Sequence, residues 1–277
     1  MQKIKKEFMT YLRRDDLLQA TLVLGKIEDP TFNHRPFINV VLHLAAQVLE
    51  SRRDIHNDPI LLAKRINTVL FEEFGLKGKS EDYKHIIDDA NQYYLNHLLE
   101  KKKGGPLSYA ALYAVLAQQV GLECEVLAFP SHYFLRIRHE AGEFFVNPFE
   151  KGKFLSGPEF QRKFKASLQR NRLLSAKLFE VLDTEQLVAR IAQQLKHVYI
   201  LKSSSLKALR AIEILSAIYP DSPELTRDRG ILYCEMEYFS KAREDLRSYL
   251  KARPKADDVR EIKKLALMLR GYSETMN

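Results

Sequence analysis

KKKGGPLSYAALYAVLAQQVGLECEVLAFPSHYFLRIRHEAGEFFVNP, residues 101–148, decides how this chain is read. Lys101, Lys102 and Lys103 suit the negative end of a helix dipole, and Gly104 and Gly105 break the helix that they close. Pro106 is pre-shaped for the first position of the next helix. From Pro106 to Val120 the residues are apolar nearly all round, which predicts a buried helix ended by Gly121. Three short runs of strand formers follow, at 124–129, 132–138 and 143–147, separated by Pro-Ser and Ala-Gly turn signals. A central helix on a small antiparallel sheet, preceded by a helical lobe, is an α+β domain.

The order within this stretch is that of a Cys-His-Asp triad: helix start, strand histidine, strand carboxylate. That chemistry needs a thiolate at a helix N-terminus, where the dipole and free N–H groups lower its pKa. It also needs a histidine base oriented by a third group. Here Pro106 holds the nucleophile position and Asn147 the carboxylate position, so His132 alone keeps its residue type. Ser108 follows half a turn on. Its hydroxyl is either activated by His132 or bonded to backbone, as first-turn serines are. Cys124 alternates with Val126 and Ala128, the pattern of a small buried residue. Phe134, Arg136 and Arg138 share the face of His132. Asn147, before Pro148, either starts a turn or orients His132 as in Cys-His-Asn sites. His132, Tyr133 and Arg136 are the expected binding residues, and no residue is assigned a catalytic role.

Upstream, residues 3–26 predict one or two helices. Residues 36–53 and 58–75 are amphipathic, the second opening on Asp58 as N-cap and Pro59 in the first turn. Residues 82–103 predict a further helix or helix pair. With 277 residues the chain has room for two domains. No apolar run approaches the ~18 residues of a membrane span, and the first residues do not form a secretory signal. Cys124 and Cys234 make neither a disulfide framework nor metal-ligand spacing. The expectation is a cytoplasmic protein without cofactor or metal.

The net charge is +8. Residues 151–200 carry 10 basic and 4 acidic side chains, most of the excess. The basic segment 151–177 is either a solvated helical connector or a surface for an acidic partner. Nucleic acid is not expected there, because no aromatic-interleaved platform accompanies it.

The C-terminal third repeats. Tyr199 and Tyr233, Ala208 and Ala242, and Pro220 and Pro254 are each 34 residues apart, the tetratricopeptide (TPR) period. Gly230, Tyr233, Ala242 and Pro254 fall at that repeat's offsets, where small residues let two helices approach. Lys196 and Tyr249 depart from the pattern, each standing where a small residue is usual.

Residues 88–137 resemble the bacterial SirB family of transglutaminase-like proteins with C-terminal TPR repeats. The resemblance rests on Asn91 and Leu95, the basic residues after them, and Gly104, Pro106 and Ser108. It continues in Pro130 and His132, then Asn147, Pro148 and Phe149, then Arg-Asp-Arg-Gly at 227–230. It covers roughly residues 36–270. It implies a transglutaminase-like (papain-like) fold from which the cysteine is generally absent. Asn147 departs from the aspartate that the family often carries.

The expected organisation is a transglutaminase-like domain over 1–155, a basic helical connector over 156–184, and TPR-like repeats with a capping helix over 185–277. The expected function is non-catalytic: a degenerate domain joined to helices that bind a protein partner. The alternatives are a divergent hydrolase or acyl transferase using Ser108 or Cys124 with His132, and a binder of acidic partners or nucleic acid through 151–177.

Overall fold

A computed structural model describes residues 2–50, 58–79, 88–129, 132–170 and 180–274. Its contacts divide the chain into two units, one of residues 7–191 and one of 192–277 with residues 1–6.

The larger unit is built round one helix. The helices in order are α1 (Gln2–Arg13), α2 (Leu17–Leu22), α3 (Gly25–Glu28), α4 (Arg35–Glu50), α5 (Pro59–Asn67), α6 (Leu95–Lys101) and α7 (Pro106–Val120). As expected from its composition, α7 is buried on every side, with only Gln118 and Gln119 exposed. Helices α2, α4, α5 and α6 pack round it, and a sheet closes the remaining side. Asp58 caps α5, accepting from the N–H groups of Ile60 and Leu61 at 2.7 and 3.2 Å. The helix predicted to run to residue 75 changes at Thr68–Glu73 to a widened π-helical turn. Residues 82–87 of the predicted 82–103 helix lie outside the described residues.

The sheet has five antiparallel strands in the order β4-β3-β2-β1-β5. The three expected strands are β1 (Glu125–Phe129), β2 (His132–His139) and β3 (Gly142–Asn147). The edge strands β4 (Lys153–Ser156) and β5 (Glu180–Leu182) were not expected. They are four and three residues long, too short for an alternation to register.

Strand alternation gives the sheet two distinct faces. Leu127, Phe129, Phe134, Phe145 and Leu155 form one face. It is covered by Phe160 and Phe164 of α8 (Gly157–Arg170), with Phe160 stacked on Phe145 at 3.9 Å. Leu135, Ile137 and Val146, all fully buried, form the other face, against α5 and α7. His139 lies on this second side, 3.9 Å from Asp58 at the start of α5. The segment expected as a connector, 156–184, therefore supplies α8 and β5 to this unit. The expected boundary near 155 falls inside it, because Phe160 and Phe164 complete the sheet's core.

Three loops meet at the first turn of α7, and Tyr109 joins them. Its hydroxyl accepts from Gly78 N at 2.9 Å and donates to Lys102 O at 3.3 Å. Its ring meets Phe149 edge-on at 5.6 Å and stacks with Phe71 at 6.4 Å. Lys77 N donates to Lys102 O and Lys79 N to Phe149 O, at 3.0 and 2.7 Å. Deeper in the helix, Tyr113 donates to Ala63 O at 2.9 Å and so fastens α7 to α5.

The smaller unit is all helical: the remainder of α9 (Thr184–Leu201), then α10 (Ser205–Ile218), α11 (Pro223–Glu235), α12 (Phe239–Ala252) and α13 (Val259–Glu274). Among the described residues, no helix is long and apolar enough to cross a membrane.

Two predictions follow from this packing. Tyr109→Phe keeps the ring but leaves the buried Gly78 N–H without its acceptor. The expected loss of stability is about 1–3 kcal/mol, read from denaturant unfolding. The second concerns His34, only 8% exposed and edge-on to Tyr11 at 6.0 Å. Burial lowers its pKa; Lys26 and Arg35 add to this and Glu7 opposes it. The folded chain thus binds that proton less readily than the unfolded chain. Its contribution to stability is present above about pH 6.5, the unfolded value, and is lost as the pH falls below it. His34→Gln should flatten the fall in melting temperature across that range.

Candidate functional site

The start of α7 is sterically tight. A Cβ on Gly104 would lie 2.5 Å from Ser108 Oγ, and one on Gly105 3.1 Å from Gln92 O. Gly105 N donates to that same Gln92 carbonyl at 2.8 Å. Pro106 occupies the first helical position, where its missing N–H is no loss. Ser108 is 1% exposed, and its hydroxyl donates to Gly105 O at 2.9 Å. The proton that a base would have to remove is held by a carbonyl of the same turn.

Cys124 precedes β1. Burial, with Glu125 next, pushes its thiol up to about 12. That shift favours the protonated, weakly nucleophilic thiol. Register also separates it from His132. Phe129 pairs with His132 at one end of β1, and Cys124 lies five residues away beyond the other end. At strand rise that is about 16 Å along the sheet, far outside hydrogen-bond reach.

His132 lies on the α8 side. Its ring stacks with Phe134 at 6.2 Å and meets Phe164 edge-on at 6.0 Å. Asn147 is 3% exposed, and its side-chain oxygen accepts from Phe149 N at 3.1 Å and Glu150 N at 3.3 Å. It starts the short 3-10 turn Pro148–Glu150, one of its two expected roles.

The expected binding trio is divided by strand geometry. Tyr133 points to the opposite face from His132 and Arg136. Burial raises its pKa against the pull of Arg190, which pairs with Glu180. Arg136 pairs with Glu125 at 2.6 Å and Glu143 at 3.5 Å. A cleft opens at that end of the sheet, lined by Leu17, Gln118, Cys124, Arg138 and Leu187 among others. Among the described residues, no group of three or more His, Cys, Asp or Glu side chains is arranged to hold a metal ion.

In the smaller unit, the Arg-Asp-Arg-Gly run at 227–230 is a clasp. Arg227 pairs with Asp258 at 2.7 Å, and Asp228 pairs with Lys196. Arg229 forms a fork with Asp245 at 2.7 and 2.8 Å. A Cβ on Gly230 would lie 2.9 Å from Leu246 Cδ2, so α11 and α12 cross there in near contact. Ala242, fully buried, and Tyr233 belong to that cluster, while Tyr199 and Ala208 are buried on α9 and α10. The two departures from repeat pattern belong to the same network. Lys196, 7% exposed, answers Asp228, and Tyr249 donates to Asp258 at 2.6 Å. Sequence spacing did not reveal these pairs; the charged run before Gly230 was the available signal.

A buried α7 capped by Gly-Pro on an antiparallel sheet, with helical repeats beyond it, defines a transglutaminase-type domain carrying a repeat region. A family model described as the transglutaminase-like superfamily matches residues 38–193, more than half of the chain, and the chain belongs to that superfamily. A tetratricopeptide repeat model matches residues 195–266. The chain is similar to a UPF0162 protein of Xylella fastidiosa (strain 9a5c), 25% identical over 246 residues, covering 88% of this chain and 86% of that protein. It is similar to Protein SirB1 of Salmonella typhimurium, 24% identical over 192 residues, 69% of this chain and 70% of that one. It also matches F-box only protein 21 of Mus musculus, 26% identical over 179 residues but only 27% of that protein. The resemblance to SirB proteins is thereby borne out.

The clasp gives a prediction. Asp228→Ala leaves Lys196 buried and unpaired, with an expected loss of about 3–5 kcal/mol in denaturant unfolding. The double variant Lys196→Met with Asp228→Leu should recover most of that loss.

Proposed function

We propose that this protein is a non-catalytic interaction protein: a transglutaminase-like domain without its chemistry, joined to TPR helices that bind a protein segment. The carrying observation is the Ser108 hydroxyl donating to Gly105 O, one turn into a helix whose nucleophile position holds Pro106. The protonated state of Cys124 and its distance from His132 support the same reading. Helical repeats offer a surface suited to an extended peptide or helix. A hydrolase would need Ser108 to exchange its carbonyl bond for one to His132.

The test pairs chemistry with binding. A fluorophosphonate probe and iodoacetamide should label neither Ser108 nor Cys124 in the native chain at about pH 7.5. Labelling of either that His132→Ala abolishes defeats the non-catalytic reading. Affinity capture from the source cell should recover a protein that Gly230→Leu, which forces α11 from α12, fails to retain. Equal recovery by both would remove the repeats from the proposal.

A further inference from the structure

The basic excess after residue 150 is not one continuous surface. Lys163 of α8 pairs with Glu150 at 3.5 Å, and α8 itself is anchored by Phe160 and Phe164. Lys151 goes elsewhere. It joins the loops that Tyr109 ties together at the start of α7.

Those loops gather Lys77, Lys79, Lys102, Lys103 and Lys151. Lys77 N bonds to Lys102 O, and Lys79 N to Phe149 O. The side chain of Lys151 lies over Gly78, where an added Cβ would come within 2.8 Å of its Cγ. Lys153, the cross-strand partner of Asn147, alternates with Leu155 and so belongs to the α8 side, where it acts on Glu159. All but Lys102 are exposed, and Lys102 holds its ammonium 2.8 Å above the centre of the Phe74 ring. The acids in these segments among the described residues are Glu72, Glu73, Glu100 and Glu150, of which Glu73 already pairs with Arg65 and Glu150 with Lys163. None of these five lysines forms an ion pair among the described residues. Like charges brought together by tertiary structure repel.

The composition of the patch selects its ligand. It is lysine alone, flexible point charges without the arginine fork that grips phosphate from two sides. Among the described residues it has no exposed aromatic face on which a base could stack. Among them it also has no large exposed apolar side chain to seat in lipid. We propose that this lysine face of the 7–191 unit binds an acidic peptide segment of a partner protein. The proposal goes beyond the interaction assigned to the repeats and does not depend on it.

The test is fluorescence anisotropy of a labelled octaglutamate peptide with the full chain, with oligothymidylate and phosphatidylserine vesicles as competing probes. Octaglutamate should bind, and more weakly as salt is raised. The variant K77E/K79E/K151E should bind it at least about tenfold more weakly. A charge-matched variant in the repeats, R247E/K251E/K255E, should stay within about twofold of the parent. Circular dichroism melts verify the fold of each. Should the first variant not fold, Lys77→Gln with Lys79→Gln replaces it, with an expected loss of about threefold. The proposal is overturned if the parent chain does not bind octaglutamate or if both variants weaken it equally. Tighter binding of oligothymidylate or of the vesicles overturns it too, assigning the face to nucleic acid or membrane.

Discussion

The Tyr109 hydroxyl is the interaction on which the functional end of the larger unit depends. Loops carry backbone polar groups that must be satisfied when buried. At the start of α7, one phenol meets two such needs at once, taking the Gly78 N–H and serving the Lys102 carbonyl. Its position on a helix buried on every side makes it a fixed post. The glycines around it allow the close approach. Gly104 and Gly105 admit Ser108 and Gln92, and Gly78 admits Lys151. The arrangement of the loops is therefore set by a tyrosine that faces inward.

The same rigidity explains how the start of α7 and the turn after β3 hold their geometry. A first-turn proline keeps the helix start, and Asn147 keeps the turn after β3 by capping it with its side-chain oxygen. Both residues fill structural roles. Ser108 is drawn into the same economy of backbone bonds. Helix starts and strand ends impose their own preferences on residue type, whatever chemistry lies nearby.

The strongest periodicities were legible. The α7 helix, β1 to β3 and the 34-residue repeat could each be read directly, because each repeats one burial choice over several residues. The edge strands were not, being too short to show alternation. Side-chain direction was only partly legible. Alternation placed His132 with Phe134 and Arg136, but it also sends Tyr133 to the other face, which separates the expected binding trio. Lys196 and Tyr249 looked like faults in a repeat. Their partners, Asp228 and Asp258, lie 32 and 9 residues away, and such pairings exist only once the chain has folded. The lysine face was hidden for the same reason, because its members come from three separate segments.

The short edge strands bear on how this protein can be cut. Sheet edges expose unpaired N–H and C=O groups, and long flat ones invite other chains to pair with them. Here the edges are β4 and β5, of four and three residues, and the longer strands lie inside. A chain ended near residue 155, where glycine and proline invite a boundary, would lack β5 and α8. Val126, Leu127 and Ala128 would then form an open edge, and the Phe129, Phe134 and Phe145 face would lose its cover. Such a fragment carries all the residues of the old triad layout and the makings of an aggregate. The excisable unit runs on through β5.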